Sequence, residues 1–215
     1  MKTRRTLALL APVFLLALSA SCNAALLSTL ISGGNISQGN ATYSNFHLNN
    51  ANPSPLASSI TVTASTAASG ASVLTFTVTG GAGVWTTPAD SSIITFDISF
   101  TAPINAVGLD FVATGTSTGI ASVGETTTYQ FSGQDVSNNL QVVTDGAGSL
   151  PDAFSDLESL AHLTTTLSVI KSIDIASSGG AATITSVSNS YFPVPEPASL
   201  SLLALAIPFL HRRRA

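Results

Sequence analysis

The stretch Ile94-Thr95-Phe96-Asp97-Ile98-Ser99-Phe100 alternates between apolar and polar side chains without interruption. A period of two residues is that of a β-strand with one buried and one exposed face, because successive side chains point to opposite sides. Thr, Asp and Ser occupy the polar positions, as on the solvent-exposed face of an antiparallel sheet. This stretch therefore predicts antiparallel β-structure, and the same period recurs on both sides of it.

Short alternating runs account for most of the chain outside its two ends. They lie at residues 60–63, 74–79, 107–113, 129–131, 140–143 and 182–187, and Gly, Pro and Asp-Gly turn signals separate them. A weaker edge strand is expected at residues 43–48. Many short strands separated by such turns indicate an all-β fold, here a single antiparallel β-sandwich or jelly-roll-like domain over residues 25–192.

Lys171 interrupts a run of apolar residues that share its parity. The run comprises Leu163, Leu167, Val169, Ile173 and Ile175. Burial of a charged side chain is costly. We therefore expect either a bulge that turns Lys171 outward or two separate strands.

One segment, residues 151–162, has a helical period. Its apolar residues Phe154, Leu157, Leu160 and Ala161 fall on one helical face, and Pro151 occupies a favourable first-turn position. We expect one short helix here, lying across the sandwich.

The N-terminus has the layout of a secretory signal peptide. Three basic residues precede an apolar run at residues 7–18, and small residues follow it at Ser19, Ala20, Ser21 and Ala24. We predict that residues 1–24 are removed by cleavage after Ala24, with Ala20 as the alternative site. Two other interpretations stay open. Residues 3–7 faintly resemble a twin-arginine signal, and residues 18–22 faintly resemble a lipoprotein box in which Ser19 stands where leucine is usual.

The C-terminus carries the proline-bracketed glutamate Pro195-Glu196-Pro197, then an uncharged apolar run at residues 198–210, then the cluster Arg212-Arg213-Arg214. As a helix the run reaches roughly 20 Å, short of the ~30 Å hydrocarbon core of a bilayer. It is therefore a marginal single-span anchor, whose arginines stay cytoplasmic under the positive-inside tendency. The prolines hold Glu196 in extended, accessible backbone outside the membrane.

This order of Pro-Glu-Pro, leucine-rich run and arginine cluster resembles the PEP-CTERM sorting domain of exopolysaccharide-producing bacteria. The resemblance implies that residues 193–215 are a sorting signal and that an exosortase, a membrane-embedded cysteine transpeptidase-like enzyme, recognises Pro195, Glu196 and Pro197. It implies a final location at the cell envelope, at the cell surface or in the extracellular matrix. Residues 94–111 and 184–191 also loosely resemble exported PEP-CTERM passengers, which implies a β-sandwich body without a particular activity. The alternative is an ordinary anchor in which Pro-Glu-Pro is only a linker.

The distribution of charge excludes nucleic acid as a partner. Six of the seven basic residues lie in the predicted leader and tail, which leaves Lys171 alone against ten acidic residues in the body, a net charge of −9. Neutralising phosphates requires clustered Lys and Arg. Cys22, the only cysteine, leaves with the predicted leader, so the sequence predicts neither a disulfide nor a thiolate metal site in the mature body.

One motif suggests nucleophilic catalysis. Residues 115–119 fit G-x-S-x-G around Ser117, and Asp145 and His162 follow in the order found in α/β-hydrolases. The motif requires a strand before it and a helix after it, because that turn presents the hydroxyl and the oxyanion donors. Residues 120–131 are strand-like instead. A hairpin turn is therefore the favoured interpretation, and a serine hydrolase is the alternative.

Other acidic residues and histidines offer candidate ligands without a complete motif. Asp152, Asp156 and Glu158 could act as acid and base or as calcium ligands, and residues 135–139 and 145–148 are candidate cation loops. No EF-hand sequence is present, and neither His47 nor His162 belongs to a His-x-x-x-His pair. We predict no metal site and no cofactor.

Three aromatic residues, Trp85, Tyr129 and Tyr191, are candidates for stacking on sugar rings if they lie exposed on a concave face. A role for Trp85 in covering the end of the core is the competing interpretation.

Taken together, the sequence predicts an exported, non-enzymatic structural or interaction component of the cell envelope or extracellular matrix. Its expected partners are an exosortase, the membrane before processing, and polysaccharide as a further candidate. A carbohydrate-binding module of the exopolysaccharide matrix is the first alternative, and the Ser117 hydrolase is the second.

Overall fold

A computed structural model describes residues 22–50, 55–78, 85–86, 89–116, 118–145, 154–177 and 180–194. Within these ranges the protein is nearly all antiparallel β-sheet with one α-helix, which confirms the predicted fold class at this level. No helix in the described ranges combines the length and the apolar character needed to cross a membrane. Residues 1–21 of the predicted leader and residues 195–215 of the predicted sorting signal lie outside the described residues.

The strands alternate buried and half-exposed residues as the sequence predicts. They are β1 (Cys22–Leu26), β2 (Ile36–Gln38), β3 (Ala41–Asn50), β4 (Ile60–Thr66), β5 (Ser72–Val78), β6 (Trp85–Thr86), β7 (Ala89–Thr116), β8 (Gly119–Phe131), β9 (Gln134–Thr144), β10 (Ser155–Ser177) and β11 (Ala181–Pro193). The helix α1 (Leu27–Ile31) follows β1, and a single 3-10 turn (Ala57–Ser59) precedes β4.

The long strand β7 belongs to both halves of the sheet. Its first part pairs with β3, and its last part, from Ile104 onward, pairs with β11. On its other edge β7 pairs with β10, whose register shifts between Ser159 and Thr166. The first half of the sheet therefore contains β2, β3, β8, β9 and the later part of β10, and the second half contains β1, β4, β5 and β11.

Aromatic side chains from the two halves pack against one another in the core. The ring of Tyr191 on β11 lies 6.1 Å from that of Tyr43 on β3 and 5.6 Å from that of Phe100 on β7, measured between centroids. Phe76 on β5 and Phe96 on β7 meet at 5.7 Å. Two antiparallel layers that share one apolar interior form a β-sandwich-like arrangement.

The prediction of a helix at residues 151–162 is wrong for residues 154–162, the part of this segment that the structure describes. Residues 155–162 begin β10, and Ser155–Ser159 pair with residues 106–110 of β7. The apolar face that indicated a helix is not buried as a face, because Phe154 is 46% exposed and Leu157 is 63% exposed. Within the described ranges the one α-helix is α1, which the sequence analysis did not predict and in which Leu27 and Leu30 are buried.

Lys171 is neither turned outward by a bulge nor placed between two strands, and both predictions are wrong. β10 continues through it with regular pairing to Ile94 and Glu125, and the lysine is fully buried. Leu163 is the residue that leaves the core, with 58% exposure, beside the register shifts of β10.

The sheet begins before the predicted start of the body. β1 pairs with β4 from Cys22 onward, and Asn23 donates from Nδ2 to the backbone oxygen of Ser37 at 2.5 Å. Cleavage after Ala24 would remove three of the five residues of β1. Cleavage at the alternative site after Ala20 would keep all of β1 and leave the exposed Cys22 in the mature chain.

Candidate functional site

The predicted sorting residues follow Val194 in the sequence. Val194 donates its N–H to the backbone oxygen of Pro103 at 3.0 Å. Pro195, Glu196, Pro197, Arg212, Arg213 and Arg214 lie outside the described residues.

The geometry required of a Ser117 hydrolase is not found. Ser117 itself is outside the described residues, but β7 ends at Thr116 and β8 begins at Gly119, so a strand follows the motif where a hydrolase needs a helix. His162 stacks on Phe131 at a centroid distance of 3.5 Å, at the opposite end of β8 from Gly119. Thirteen residues of extended strand separate these ends, a span of roughly 40 Å.

None of the three aromatic candidates is exposed on a concave face. Trp85 and Tyr191 are fully buried and Tyr129 is 3% exposed, so the stacking prediction is wrong for all three. The indole Nε1 of Trp85 donates to Ser92 Oγ at 3.0 Å inside the core. The Tyr129 hydroxyl accepts the backbone N–H of His162 at 3.1 Å.

The acidic candidates bond to neighbouring strands. Asp156 accepts the backbone N–H of Gln141 at 2.8 Å, and Asp135 accepts from Gln130 Nε2. Asp156 and Glu158 lie in the extended strand β10, and Asp152 lies outside the described residues. In the described part of the chain, no group of three or more His, Cys, Asp and Glu side chains is arranged to hold a metal ion.

The most unusual polar group is a buried cluster of Glu125, Lys171 and Asn189, here called the core triad. Lys171 Nζ donates to Glu125 Oε2 at 2.5 Å, and both side chains of this ion pair are fully buried. Asn189 Nδ2 contacts the same carboxylate, at 2.7 Å from Oε1 and 2.6 Å from Oε2. Glu125 and Lys171 belong to the first half of the sheet and Asn189 to the second, so the core triad bridges the sandwich.

Burial dominates the electrostatics of the core triad. It lowers the pKa of the Lys171 amine, and the adjacent Glu125 carboxylate opposes that effect. Burial also raises the pKa of Tyr191 well above its ordinary value, and the charge of Glu125 raises it further. The hydroxyls of Tyr43 and Tyr191 and the Oδ1 of Asn189 are buried without a hydrogen-bond partner.

Sequence reasoning missed Glu125 and Asn189 as site residues. The sequence did contain a signal, because residues two positions apart in a strand point to the same face of the sheet. Glu125 has the parity of Val123 and Thr127, and Asn189 has the parity of Val187 and Tyr191. All of these are buried, as Lys171 is among the apolar residues of β10.

A separate polar groove lies on the outer face of the first half of the sheet. It encloses about 350 Å³ and is lined by residues that include Asp97, Thr128, Gln130, Asp135 and Ser168. The Asp97 carboxylate accepts from Asn45 Nδ2 at 2.8 Å and from Ser168 Oγ at 2.7 Å. Carboxylates, amides and hydroxyls are the groups that bond sugar hydroxyls.

Comparison with known proteins does not identify a family for this chain. No family model matches it, and no curated protein matches it. Among solved structures, it is similar to a carbohydrate-binding module in complex with β-1,4-galactotriose, at 11% identity and TM-score 0.33 over 69% of this chain and 88% of that one. It is also similar to the enzymatically active domain of bacteriophage CBA120 tailspike protein 4, at 15% identity and TM-score 0.32 over 69% of this chain and 20% of that one. Because both TM-scores are this low, the likenesses carry no functional argument.

Proposed function

We propose that this chain is an exported, non-enzymatic component of the cell envelope or extracellular matrix, sorted by an exosortase through Pro195-Glu196-Pro197. The observation that carries the proposal is the extent of the fold. Among the described residues, β1 pairs with β4 from Cys22 onward and Val194 donates its N–H to Pro103. The described sheet therefore spans most of the sequence between the predicted leader and the predicted sorting signal, which supports a body flanked by these two segments.

The charge of the body supports an extracellular role without nucleic acid. Lys171 is the only Lys or Arg between residues 6 and 211, and it is fully buried. The body therefore offers no exposed lysine or arginine for phosphate contacts. Its exposed acidic residues and many hydroxyls keep it soluble without a basic surface.

The test is expression of the full-length chain in a host that encodes an exosortase, with Glu196→Ala as the variant. Glu158→Ala, an exposed acid within the body, is the matched control. We expect the wild type and the control to reach the envelope or medium without residues 198–215, and Glu196→Ala to keep its tail in the membrane fraction. Equal processing of all three chains would refute recognition through Glu196.

The polar groove favours a second candidate function, contact with matrix polysaccharide. The groove brings Asp97, Gln130 and Asp135 together on one outer face. A glycan array probed with wild type, Asp97→Ala and Gln130→Ala tests this function, with Asp110→Ala, an exposed acid on the other half of the sheet, as control. Binding that both groove variants lose and the control keeps supports it, and no binding by the wild type rejects it.

A further inference from the structure

We propose that Lys171 and Asn189 join covalently through an isopeptide bond between Nζ and Cγ, with Glu125 as the catalytic acid and base. The cross-link would be an autocatalytic modification of the core. It is independent of sorting, because all three residues lie in the body.

The reacting groups are already held together. Nζ of Lys171 and Nδ2 of Asn189 both contact Oε2 of Glu125, at 2.5 and 2.6 Å. The two nitrogens therefore lie no farther apart than the sum of these distances. Lys171 and Asn189 have no exposed surface and Glu125 has 2%, so competing hydrolysis by solvent is suppressed. Holding reactants in such proximity replaces a bimolecular encounter with an intramolecular step.

Glu125 provides the proton transfers that the reaction needs. Movement of one proton from Nζ to Oε2 turns the ion pair into a neutral amine and a carboxylic acid, which leaves no net or separated charge in the core. Burial favours the neutral amine, in agreement with the lowered pKa of Lys171. The neutral amine is the nucleophile, and the acid already contacts Nδ2, the atom that must leave.

The atoms balance without a co-reactant. Nζ attacks Cγ of Asn189, the new N–C bond forms, and the Cγ–Nδ2 bond breaks. Glu125 takes a proton from Nζ and delivers one to Nδ2, which departs as ammonia. A primary amine and a primary amide thus become a secondary amide and ammonia, and no atom is oxidised or reduced.

The cross-link would remove one otherwise unfavourable feature of the core. A buried ion pair is commonly no more stable than apolar residues of similar size. Bond formation removes the charges and ties β10 of the first half of the sheet to β11 of the second. It would act as a disulfide does, in a chain whose single cysteine is exposed and cannot form one internally.

Peptide mapping of the folded full-length chain tests the proposal. A protease specific for acidic residues cleaves at Asp174, between Lys171 and Asn189, so the two residues fall on different peptides. We expect the wild type to yield one branched species that is lighter than the two peptides combined by the mass of one ammonia. Glu125→Gln should yield two separate peptides, as should Lys171→Met, which lacks the nucleophile.

The measurement on the wild type does not depend on whether the variants fold. Two separate, unmodified peptides from folded wild type would overturn the proposal. A branched species that forms equally fast in Glu125→Gln would overturn the assigned role of Glu125. Processing of the leader or tail does not affect either readout, so failure of sorting and failure of cross-linking are distinguishable.

Discussion

Individual buried polar side chains affect the stability of this core. The only polar atom in the Trp85 side chain, the indole nitrogen, donates a hydrogen bond to Ser92 Oγ. Tyr43 and Tyr191 bury hydroxyls that have no partner, and their rings contact each other. Since an unpaired buried donor costs free energy whereas a paired one contributes modestly, these positions should respond to substitution in opposite ways.

For Trp85 we predict that Ser92→Ala lowers the free energy of unfolding by about 1–3 kcal/mol, because the indole N–H loses its acceptor. In a Trp85→Phe background the same substitution should cost much less, since no donor is left unpaired. Chemical denaturation of the four proteins in this double-mutant cycle gives the coupling energy. A coupling near zero would show that the bond does not contribute.

For the tyrosines we predict a loss of stability in alkaline solution. Burial raises the pKa of Tyr43 and of Tyr191 above the ordinary value. The unfolded chain therefore ionises first, and stability is constant below about pH 10 and falls above it by up to ~1.4 kcal/mol per pH unit for each tyrosine. The Tyr43→Phe/Tyr191→Phe double variant should be close to wild type at neutral pH, because the lost hydroxyls have no partner. Above pH 10 its unfolding curves should shift less than those of wild type, and an equal shift would argue against buried neutral phenols.

At the scale of elements, the two glycines of β8 differ in what surrounds them. A Cβ on Gly119 would lie 2.3 Å from the carbonyl oxygen of Ala181 and 2.5 Å from its carbon. A Cβ on Gly124 would meet nothing within 4 Å. The backbone of β11 at Ala181 thus approaches β8 closely at Gly119 and not at Gly124.

We predict that Gly119→Ala destabilises the protein by roughly 1–3 kcal/mol, because backbone must move to accept the methyl group. Gly124→Ala is the matched control, with an effect between zero and about 1 kcal/mol of stabilisation, since alanine restricts the unfolded chain. Urea unfolding of both variants measures the difference. Equal effects would contradict the close approach of Ala181 to Gly119.

Local patterns predicted the strands but not the start of β10. Residues 94–100 were predicted correctly because a period of two fits only an extended chain with one buried face. Residues 151–162 have a helical period, yet Ser155–Ser159 pair with β7, and long-range pairing overrides a local preference. The helix α1 carries no capping side chain that could have marked it.

The core triad could not be predicted as a site, although each residue could be placed on a face. Glu125 is 46 positions from Lys171 and 64 from Asn189. Only the packing of two sheet halves brings them together. The parity of Lys171 did point inward, and the general cost of burying a charge led to the wrong expectation. The prediction did not consider that an acidic residue, Glu125, also lies on the inward face of its strand and could pair with Lys171.

At the scale of the whole molecule, the described residues form a sandwich-like unit, and the predicted leader and sorting signal adjoin it in the sequence. β1 lies at one edge of the sheet, and β11 lies inside it between β5 and β7. The predicted Pro-Glu-Pro motif follows β11 in the sequence after a single residue, Val194.

The most direct test of this account is mass-spectrometric mapping of both termini of the native protein, recovered from the envelope or medium of its own cells. The account predicts a first residue of Ser21, because cleavage after Ala20 keeps β1 intact, and a C-terminus at or near Pro195-Glu196-Pro197 with residues 198–215 absent. An intact leader and tail on protein found in the cytosol would contradict it.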